Sequence, residues 1–535
     1  MNANQLLFRL VIATGAALLG AGAAYAAPAA PNIIFILADD MGRGDVSAYN
    51  PNSAWRTPHI DKLAHAGIIF SDAHSNSAVC SPSRYSILTG RYSWRSTLKQ
   101  GVGSGFSSPI IEPGRLTVAD LLRAHGYATA MIGKWHLGLS WSSSNPAAIA
   151  RDADPTDGEY SMRPPVKGRS PGEFVDYLKP FREGPFAHGF DSFLGISASL
   201  DMPPYVWLRN DRVEAPPTHS IKANKLPAMW RAGPEADDFA HVDVLPRLTS
   251  EAVTFLSKQN GRKPFFLYLA LTAPHTPIIP TKDFTGSTHT TPYGDFCSQV
   301  DAAVGQVLDA LAADHLEENT LVIFTADNGC SPSADFPELA KYHHDPQMGL
   351  RGEKADIYEG GHRIPFMARW PGHIQAGRMS GEVISQVDFM ATCADLLSSP
   401  LPANTGEDSY SLLPVLLSPE FRSPLREATV HHSINGSFAI RQGPWKLCLC
   451  PDSGGWSDPK PGFAPPGSPP FQLFNLERDP AETTNLYAVN PEMVNRLGML
   501  LKSYVLNGRS KPGPNQQNTG GNSWPQLNWM SQFGN

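Results

Sequence analysis

Little of this chain is charged, and little of it is cysteine. Lys, Arg, Asp and Glu make up 17% of the 535 residues, below the ~25% usual for soluble proteins. The 43 basic residues fall short of the 50 acidic ones, for a net charge of −7. A nucleic-acid binder carries a basic excess, and a disordered chain carries high charge with little apolar content. Both classes are excluded. Six cysteines in this length are too few for a disulfide-built scaffold. After the first 26 residues no apolar run is long enough to span a bilayer, and there is no internal repeat. What is present is a hydrophobic content of 41%, enough for a sizeable core. Proline (49) and glycine (46) together exceed the ~12% of average usage. They follow no period, which excludes collagen and predicts many turns and long loops. The length predicts two domains, one large and one small.

Residues 1–26 read as an export signal. Arg9 is the only charged side chain, an apolar run follows from Leu10 to Leu19, and Ala24-Tyr25-Ala26 has the small-x-small cleavage pattern. The run is short for a membrane anchor. The expectation is an exported protein, periplasmic or secreted, with no stable membrane span once the signal is removed. That compartment permits disulfides without requiring them.

Four short apolar runs share one grammar. Asn32–Ala38 ends in Asp39-Asp40, and Ala128–Gly133 ends in Lys134-Trp135-His136. Phe265–Leu271 ends in Thr272-Ala273-Pro274-His275, and Leu321–Ala326 ends in Asp327-Asn328-Gly329. Continuous apolar runs without alternation suit strands buried on both faces of a parallel sheet. Helical patterns fall between them at Thr57–Ala66, Leu116–His125, Val244–Lys258 and Tyr293–Ala313. Alternating strands and helices predict a doubly wound α/β domain. Ligands in such folds bind beyond the carboxyl ends of the strands, where all four runs deliver polar residues. A helix over Ser385–Leu397 closes this domain before the break at Ser399-Pro400-Leu401-Pro402. Ala428–Ile434, Phe438–Arg441, Trp445–Cys450 and Phe471–Leu476 read as antiparallel strands, covered by a helix over Pro491–Val505. The expected division is signal 1–26, catalytic domain 27–398, C-terminal subdomain 399–507 and a Pro/Asn/Gly-rich tail 508–535, in which Trp524 and Trp529 point to packing.

Cys80-Ser81-Pro82-Ser83-Arg84, followed by Leu88-Thr89-Gly90-Arg91, places Cys80 at the start of a short helix that Thr89-Gly90 ends. Free N–H groups and the helix dipole there favour an anion. Asp39, Asp40, Asp327 and Asn328 offer oxygen donors at two strand ends, a set that selects Ca²⁺ or Mg²⁺ over zinc. Arg84, Lys134 and Lys354 have no evident helix-face partners, and Lys134 and His136 stand at i, i+2 after a strand, able to share a side.

The string CSPSRYSILTGR matches the signature C-x-P-S-R-x-x-x-L-T-G-R, and at this point the chain resembles the type I sulfatases. The resemblance runs through Asn32–Asp40 with Met41-Gly42, Gly133-Lys134-Trp135-His136-Leu137-Gly138, Pro274-His275-x-Pro277, Asp327-Asn328-Gly329 and Gly352-x-Lys354. It continues in Glu359-Gly360-Gly361-x-Arg363-x-Pro365 and in Leu473-Phe474-Asn475-Leu476, Asp479-Pro480 and Asn485-Leu486. The family implies an alkaline-phosphatase-like large domain with a mostly parallel sheet between helices, plus a smaller C-terminal α+β domain with an antiparallel sheet. It implies conversion of Cys80 to Cα-formylglycine by a maturation enzyme, and one Ca²⁺ held by Asp39, Asp40, Asp327, Asn328 and the modified Cys80. Arg84 would steady the formylglycine hydrate, and Lys134 and Lys354 would hold sulfate oxygens. His136 would be the base, and His275 the acid, a role it could share with Lys354.

For the substrate the expectations are looser. Trp94, Arg95 and Lys99 follow the signature, His188 precedes Gly189, and Asp201–Trp207 carries Tyr205 and Trp207 as aromatic surfaces for a sugar or arene. His431-His432 would help wall the pocket. The surroundings of the signature resemble exported bacterial enzymes near the N-acetylgalactosamine-6-sulfatase branch, which implies a sulfated carbohydrate or aryl sulfate as substrate. Two other readings compete: a phosphate or phosphonate monoester hydrolase of the same superfamily, and an inactive secreted sugar-binding relative.

Overall fold

The computed structural model describes residues 30–152 and 171–534. The export reading of residues 1–26 lies outside the described residues. The four apolar runs become four adjacent strands at the centre of a ten-stranded sheet. Across it the order is Arg378–Ser380, Ile68–Phe70, Phe366–Arg369, Thr320–Ala326, Asn32–Ala38, Phe265–Ala270, Ala128–Lys134, Ser192–Ile196, Leu208–Arg209 and Arg212–Val213. Every residue of Asn32–Ala38, Phe265–Ala270 and Thr320–Ala326 is buried, which is why these runs show no alternation. Leu37 pairs with Ala270 and Thr325, and Ala270 with Gly133, all in parallel. The strands therefore end level, and the residues after each strand meet along a single edge.

The sheet is mixed toward its edges. Phe366–Arg369 runs antiparallel to both neighbours, as do Leu208–Arg209 and Arg212–Val213 to the strands before them. These outer strands have two to four residues and leave no long apolar run, so the sequence pattern misses them. The expected helices form as Pro58–His65, Val118–Ala124, Val244–Ser257 and Pro292–Ala313. Thr117 caps the second: its hydroxyl accepts from the Asp120 amide at 3.1 Å while the Asp120 carboxylate accepts from the Thr117 amide at 3.2 Å. The helix expected at Ser385–Leu397 begins as a 3₁₀ turn, Gln386–Asp388, and continues as Phe389–Leu396.

The small sheet is antiparallel and in chain order: Thr429–His432, Phe438–Gln442, Trp445–Cys448 and Gln472–Asn475. The helix Pro491–Leu506 covers it. Tyr92 and Trp94, just after the signature helix, join its core with Phe438, Leu473, Leu501 and Trp529. The tail closes this seam: the Thr519 amide donates to the Arg95 carbonyl at 2.7 Å, and Phe533 stacks on Phe471 at 5.7 Å. All six cysteines are buried free thiols.

The signature helix, Cys80–Thr89, is buried along its whole length. Gly90 ends it in the left-handed region at φ 66°, its amide donating to the Ser86 carbonyl at 2.9 Å. A Cβ there would lie 2.6 Å from that of Met390. Gly90→Ala therefore combines backbone strain with a core clash, and is expected to destabilise the protein by about 2 kcal/mol or more. Chemical denaturation checks this; an unchanged midpoint would contradict it.

Candidate active site

Each strand end contributes to one buried cluster. Asp39 and Asp40 follow Asn32–Ala38, Asp327 and Asn328 follow Thr320–Ala326, and Lys134 is the last residue of its strand. His275 lies in the loop after Phe265–Ala270. Cys80 opens the signature helix, one turn before Arg84. Lys354 arrives on a loop whose amides at 354 and 355 donate to the carbonyls of Cys330 and Ala78. Asp40, His136 and Ala355 sit at φ 65°, 58° and 82°. Asp and His are enriched among left-handed non-glycine residues, whereas Ala355 carries strain of the kind that collects at functional sites.

Three cations meet three carboxylates here, a pairing the sequence does not reveal. Lys134 Nζ lies 2.7 Å from Asp39 Oδ2, Lys354 Nζ 2.7 Å from Asp40 Oδ2, and Arg84 Nη2 2.8 Å from Asp327 Oδ2. Arg84 also donates to the Lys134 carbonyl at 3.0 Å. The Asp40 amide donates to Asp327 Oδ1 at 3.1 Å, and Asn328 Nδ2 to Asp40 Oδ1 at 2.7 Å. Burial and the neighbouring Asp39 push the Asp327 carboxyl up to about 7. Burial works the same way on Asp39, but Lys134, His275 and Arg84 outweigh it and hold that group well below the usual range. Burial alone would lower Lys354, yet Asp40 beside it keeps its ammonium charged well above the ordinary value.

Burial holds both histidines below the ordinary imidazole value. Burial, then the Lys134 and Arg84 charges, depress His136. Its Nε2 lies 2.7 Å from the Gly103 carbonyl and must donate to it, so the lone pair is on Nδ1, a buried atom without a hydrogen-bond partner. Burial and Lys354 likewise lower His275, whose Nδ1 faces the Thr276 carbonyl at 2.5 Å and whose Nε2 lies 3.6 Å from Asp40 Oδ2. The Cys80 thiol is pushed up by burial.

The donor set suits a hard dication. Asp39 Oδ1 and Asn328 Oδ1 are buried with no hydrogen-bond partner, and Asp39 Oδ1 has only the Arg84 guanidinium at 3.6 Å, an arrangement that a bound cation would relieve. Three carboxylates and an amide oxygen are calcium's preferred ligand types. The sequence reading missed Ser199, whose hydroxyl lies 3.3 Å from both Lys134 Nζ and His275 Nδ1. Its signal would have been a fifth strand end, but Ser192–Ile196 is only five residues long and holds a glycine.

Five residues expected to touch substrate are committed elsewhere, and so is Lys99. Trp94 packs edge-on against Phe438, and Arg95 pairs with Asp408 at 2.8 Å, both in the seam with the small sheet. Lys99 donates to the carbonyls of Trp94 and Thr519 and lies over the Trp524 ring. His188 stacks on Trp135 with 3% of its surface exposed. Tyr205 donates to the Arg231 carbonyl at 2.7 Å, and Trp207 lies beneath Arg247. The loop Asp201–Trp207 turns its aromatic rings inward because they have core partners.

His431 belongs to a second buried cluster. His362 Nε2 lies 3.1 Å from Lys446 Nζ and 3.2 Å from the Ile357 carbonyl, and its Nδ1 3.0 Å from His74 Nδ1. His74 Nε2 lies 2.7 Å from Asp72 Oδ1 and 3.2 Å from Arg441 Nη1. The rings of His362 and His431 stack at 3.8 Å and 8°. Two parallel rings cannot both aim in-plane lone pairs at one ion, so this cluster is a hydrogen-bonded knot rather than a metal centre. Through Ser75, whose amide donates to the His362 carbonyl at 2.9 Å, it anchors the segment leading to Cys80.

An α/β fold with acidic donors, three cations and two buried imidazoles at its strand ends defines a hydrolase of anionic esters. The comparisons narrow the class. The family model described as Sulfatase matches residues 31–399. The N-acetylgalactosamine-6-O-sulfatase of Bacteroides thetaiotaomicron is 33% identical over 88% of this chain and 93% of its own. Human arylsulfatase A is 33% identical over 93% and 92%. A solved chain from work on glycosaminoglycan metabolism by B. thetaiotaomicron superposes with a TM-score of 0.74 at 30% identity, covering 88% of this chain and 98% of that one. The chain belongs to the sulfatase family and is a sulfuric ester hydrolase.

The raised Asp327 sets the sign of a pH effect. Without a cation, stability from this group is present at low pH and lost as pH rises through about 7. A dication bound by this donor set would relieve that loss, and below about 7 it would first have to displace a proton. Added Ca²⁺ should therefore raise the melting temperature of chelator-treated protein more at pH 8 than at pH 6. Equal shifts at both pH values would contradict this account.

Proposed function

We propose that this enzyme removes sulfate from a sulfated sugar of the N-acetylgalactosamine-6-sulfate type, using a formylglycine hydrate at position 80. The observation that carries the mechanism is the setting of Cys80. It is a buried residue at a helix start, near Lys134 and Lys354, and its thiol is pushed up and ill suited to attack as it stands. An aldehyde hydrate in its place offers two geminal hydroxyls. One hydroxyl gives up its proton as its oxygen attacks sulfur, and the S–O bond to the sugar breaks as the sugar oxygen takes a proton. The second hydroxyl then loses its proton, sulfate leaves, the aldehyde reforms, and water rehydrates it. No water has to attack the charged ester directly.

The roles are those the family resemblance implies, and the placement of the side chains supports them. Neutral His136, with Nδ1 open, takes the proton of the second hydroxyl. His275, beside Lys354 and Asp40, serves the leaving oxygen. Lys134 and Lys354 hold sulfate oxygens, and Arg84 steadies the hydrate. Asp39, Asp40, Asp327, Asn328 and a residue-80 oxygen would hold Ca²⁺, which when bound supplies Lewis acidity and offsets charge on the sulfuryl group. The sugar reading rests on the relative named N-acetylgalactosamine-6-O-sulfatase, similar over most of both chains. Residues 1–26 would direct export, and a formylglycine-generating enzyme would act on Cys80.

Three measurements test this reading. Mass analysis of the residue-80 peptide, from a host carrying the maturation enzyme, should find the aldehyde; thiol alone would sink the mechanism. Lys134→Ala should lower kcat by about 10²-fold or more, and a loss below tenfold would remove Lys134 from the sulfate site. A panel of sulfated sugars, aryl sulfates and their phosphate analogues, with and without Ca²⁺, should show calcium-dependent turnover favouring N-acetylgalactosamine-6-sulfate. Preference for phosphate esters would favour the monoesterase alternative.

A further inference from the structure

Cys80 belongs to a small apolar cluster with Val79, Val102, Ala198, Met202, Ala355 and Ile434, and one partly exposed residue, Trp456, packs against it. Among the described residues the surroundings of Cys80 open narrowly: Lys354 is 5% exposed, His275 6%, and Val102 and Met202 7% each. Trp456 is the only aromatic residue in that group. It lies on the chain between the strands Trp445–Cys448 and Gln472–Asn475, so the small sheet delivers it.

The segment bearing Trp456 is fixed rather than loose. The amides of Trp456 and Ser457 donate to Asp356 Oδ1 at 2.7 and 3.1 Å. The Ile357 amide donates to the Ser453 carbonyl at 2.8 Å, and the Ser453 hydroxyl to the Ser457 carbonyl at 2.7 Å. Gly455 lies so close to the 354–357 segment that a Cβ would come within 2.5 Å of the Ala355 backbone. The tryptophan is thus tied to the short segment that carries Lys354.

We propose that Trp456 is the platform on which the pyranose ring of the substrate rests, and that it makes the site favour sugar sulfates. This rests on the sulfated-sugar reading above. Sulfate contacts are common to every ester of the class, so they cannot discriminate among leaving groups; an apolar surface beside the nucleophile can. Once sulfur is placed at residue 80, the ring, three bonds away in a 6-sulfate, must lie against the surfaces beside it. A sugar ring presents C–H faces suited to an indole, and a tryptophan held by backbone hydrogen bonds loses little freedom on binding.

Steady-state kinetics on N-acetylgalactosamine-6-sulfate, with inorganic sulfate as a ring-free competitor, would test this in the mature calcium-loaded enzyme. Trp456→Ala should raise KM for the sugar by about threefold to tenfold while leaving inhibition by sulfate unchanged. Trp456→Phe, which keeps an aromatic face and fills most of the volume, should recover most of the affinity. A KM within about twofold of wild type in the alanine variant, or sulfate inhibition that weakens in parallel, would overturn the assignment. If Trp456→Ala does not fold, Trp456→Leu replaces it under the same criteria. Wild-type protein without turnover of any sugar sulfate would defeat the substrate reading itself, and this assignment with it.

Discussion

Three carboxylates and three cations share a dry space at one edge of a parallel sheet, and most of the surrounding structure keeps them there. Lys134–Asp39, Lys354–Asp40 and Arg84–Asp327 pair at 2.7–2.8 Å with almost no exposure. Buried ion pairs recover little of their desolvation cost unless their geometry is held and further hydrogen bonds complete them. Level strand ends fix the positions of Asp39, Asp327 and Lys134. The Asp40 amide on Asp327 and the Arg84 guanidinium on the Lys134 carbonyl tie one pair to the next. Even so, Asp39 and Asn328 keep an oxygen each without a hydrogen-bond partner. A set of charges this costly and still incomplete is arranged for what binds there.

The small sheet does more than cap the large one. Its seam with the signature helix is part apolar, through Tyr92, Trp94 and Phe438, and part ionic, through Arg95 with Asp408. The knot of Asp72, His74, His362, His431 and Lys446 spans the same junction and holds the segment that precedes Cys80. Trp456 comes from the same part of the chain. The position of Cys80 thus depends on a partner that lies more than three hundred residues away in sequence.

The abundance of proline and glycine has a counterpart in this arrangement. The loop after Trp445–Cys448 fits against Ala355–Ile357 because Gly455 leaves room for the close approach. The net charge of −7 gives no hint of this site, because its field is set locally by Arg84, Lys134 and Lys354 beside the three carboxylates.

Much was legible in the sequence because it is local. Runs buried on both faces must be apolar throughout, so the four central strands and the residues that end them could be read directly. The signature helix and its glycine stop were likewise written in adjacent residues, and with them the family. The short edge strands were not legible, since two to four residues leave no pattern. Nor was Ser199, nor the inward turn of Tyr205 and Trp207, because an aromatic residue reads the same whether it faces a pocket or a core. The sequence by itself determined which residue types stand at the strand ends, and hence the chemistry available. Only the tertiary structure decided which cation answers which carboxylate and which aromatic ring packs beside Cys80. Those are distances between residues far apart in the chain, set by how the strands align and how the small sheet docks.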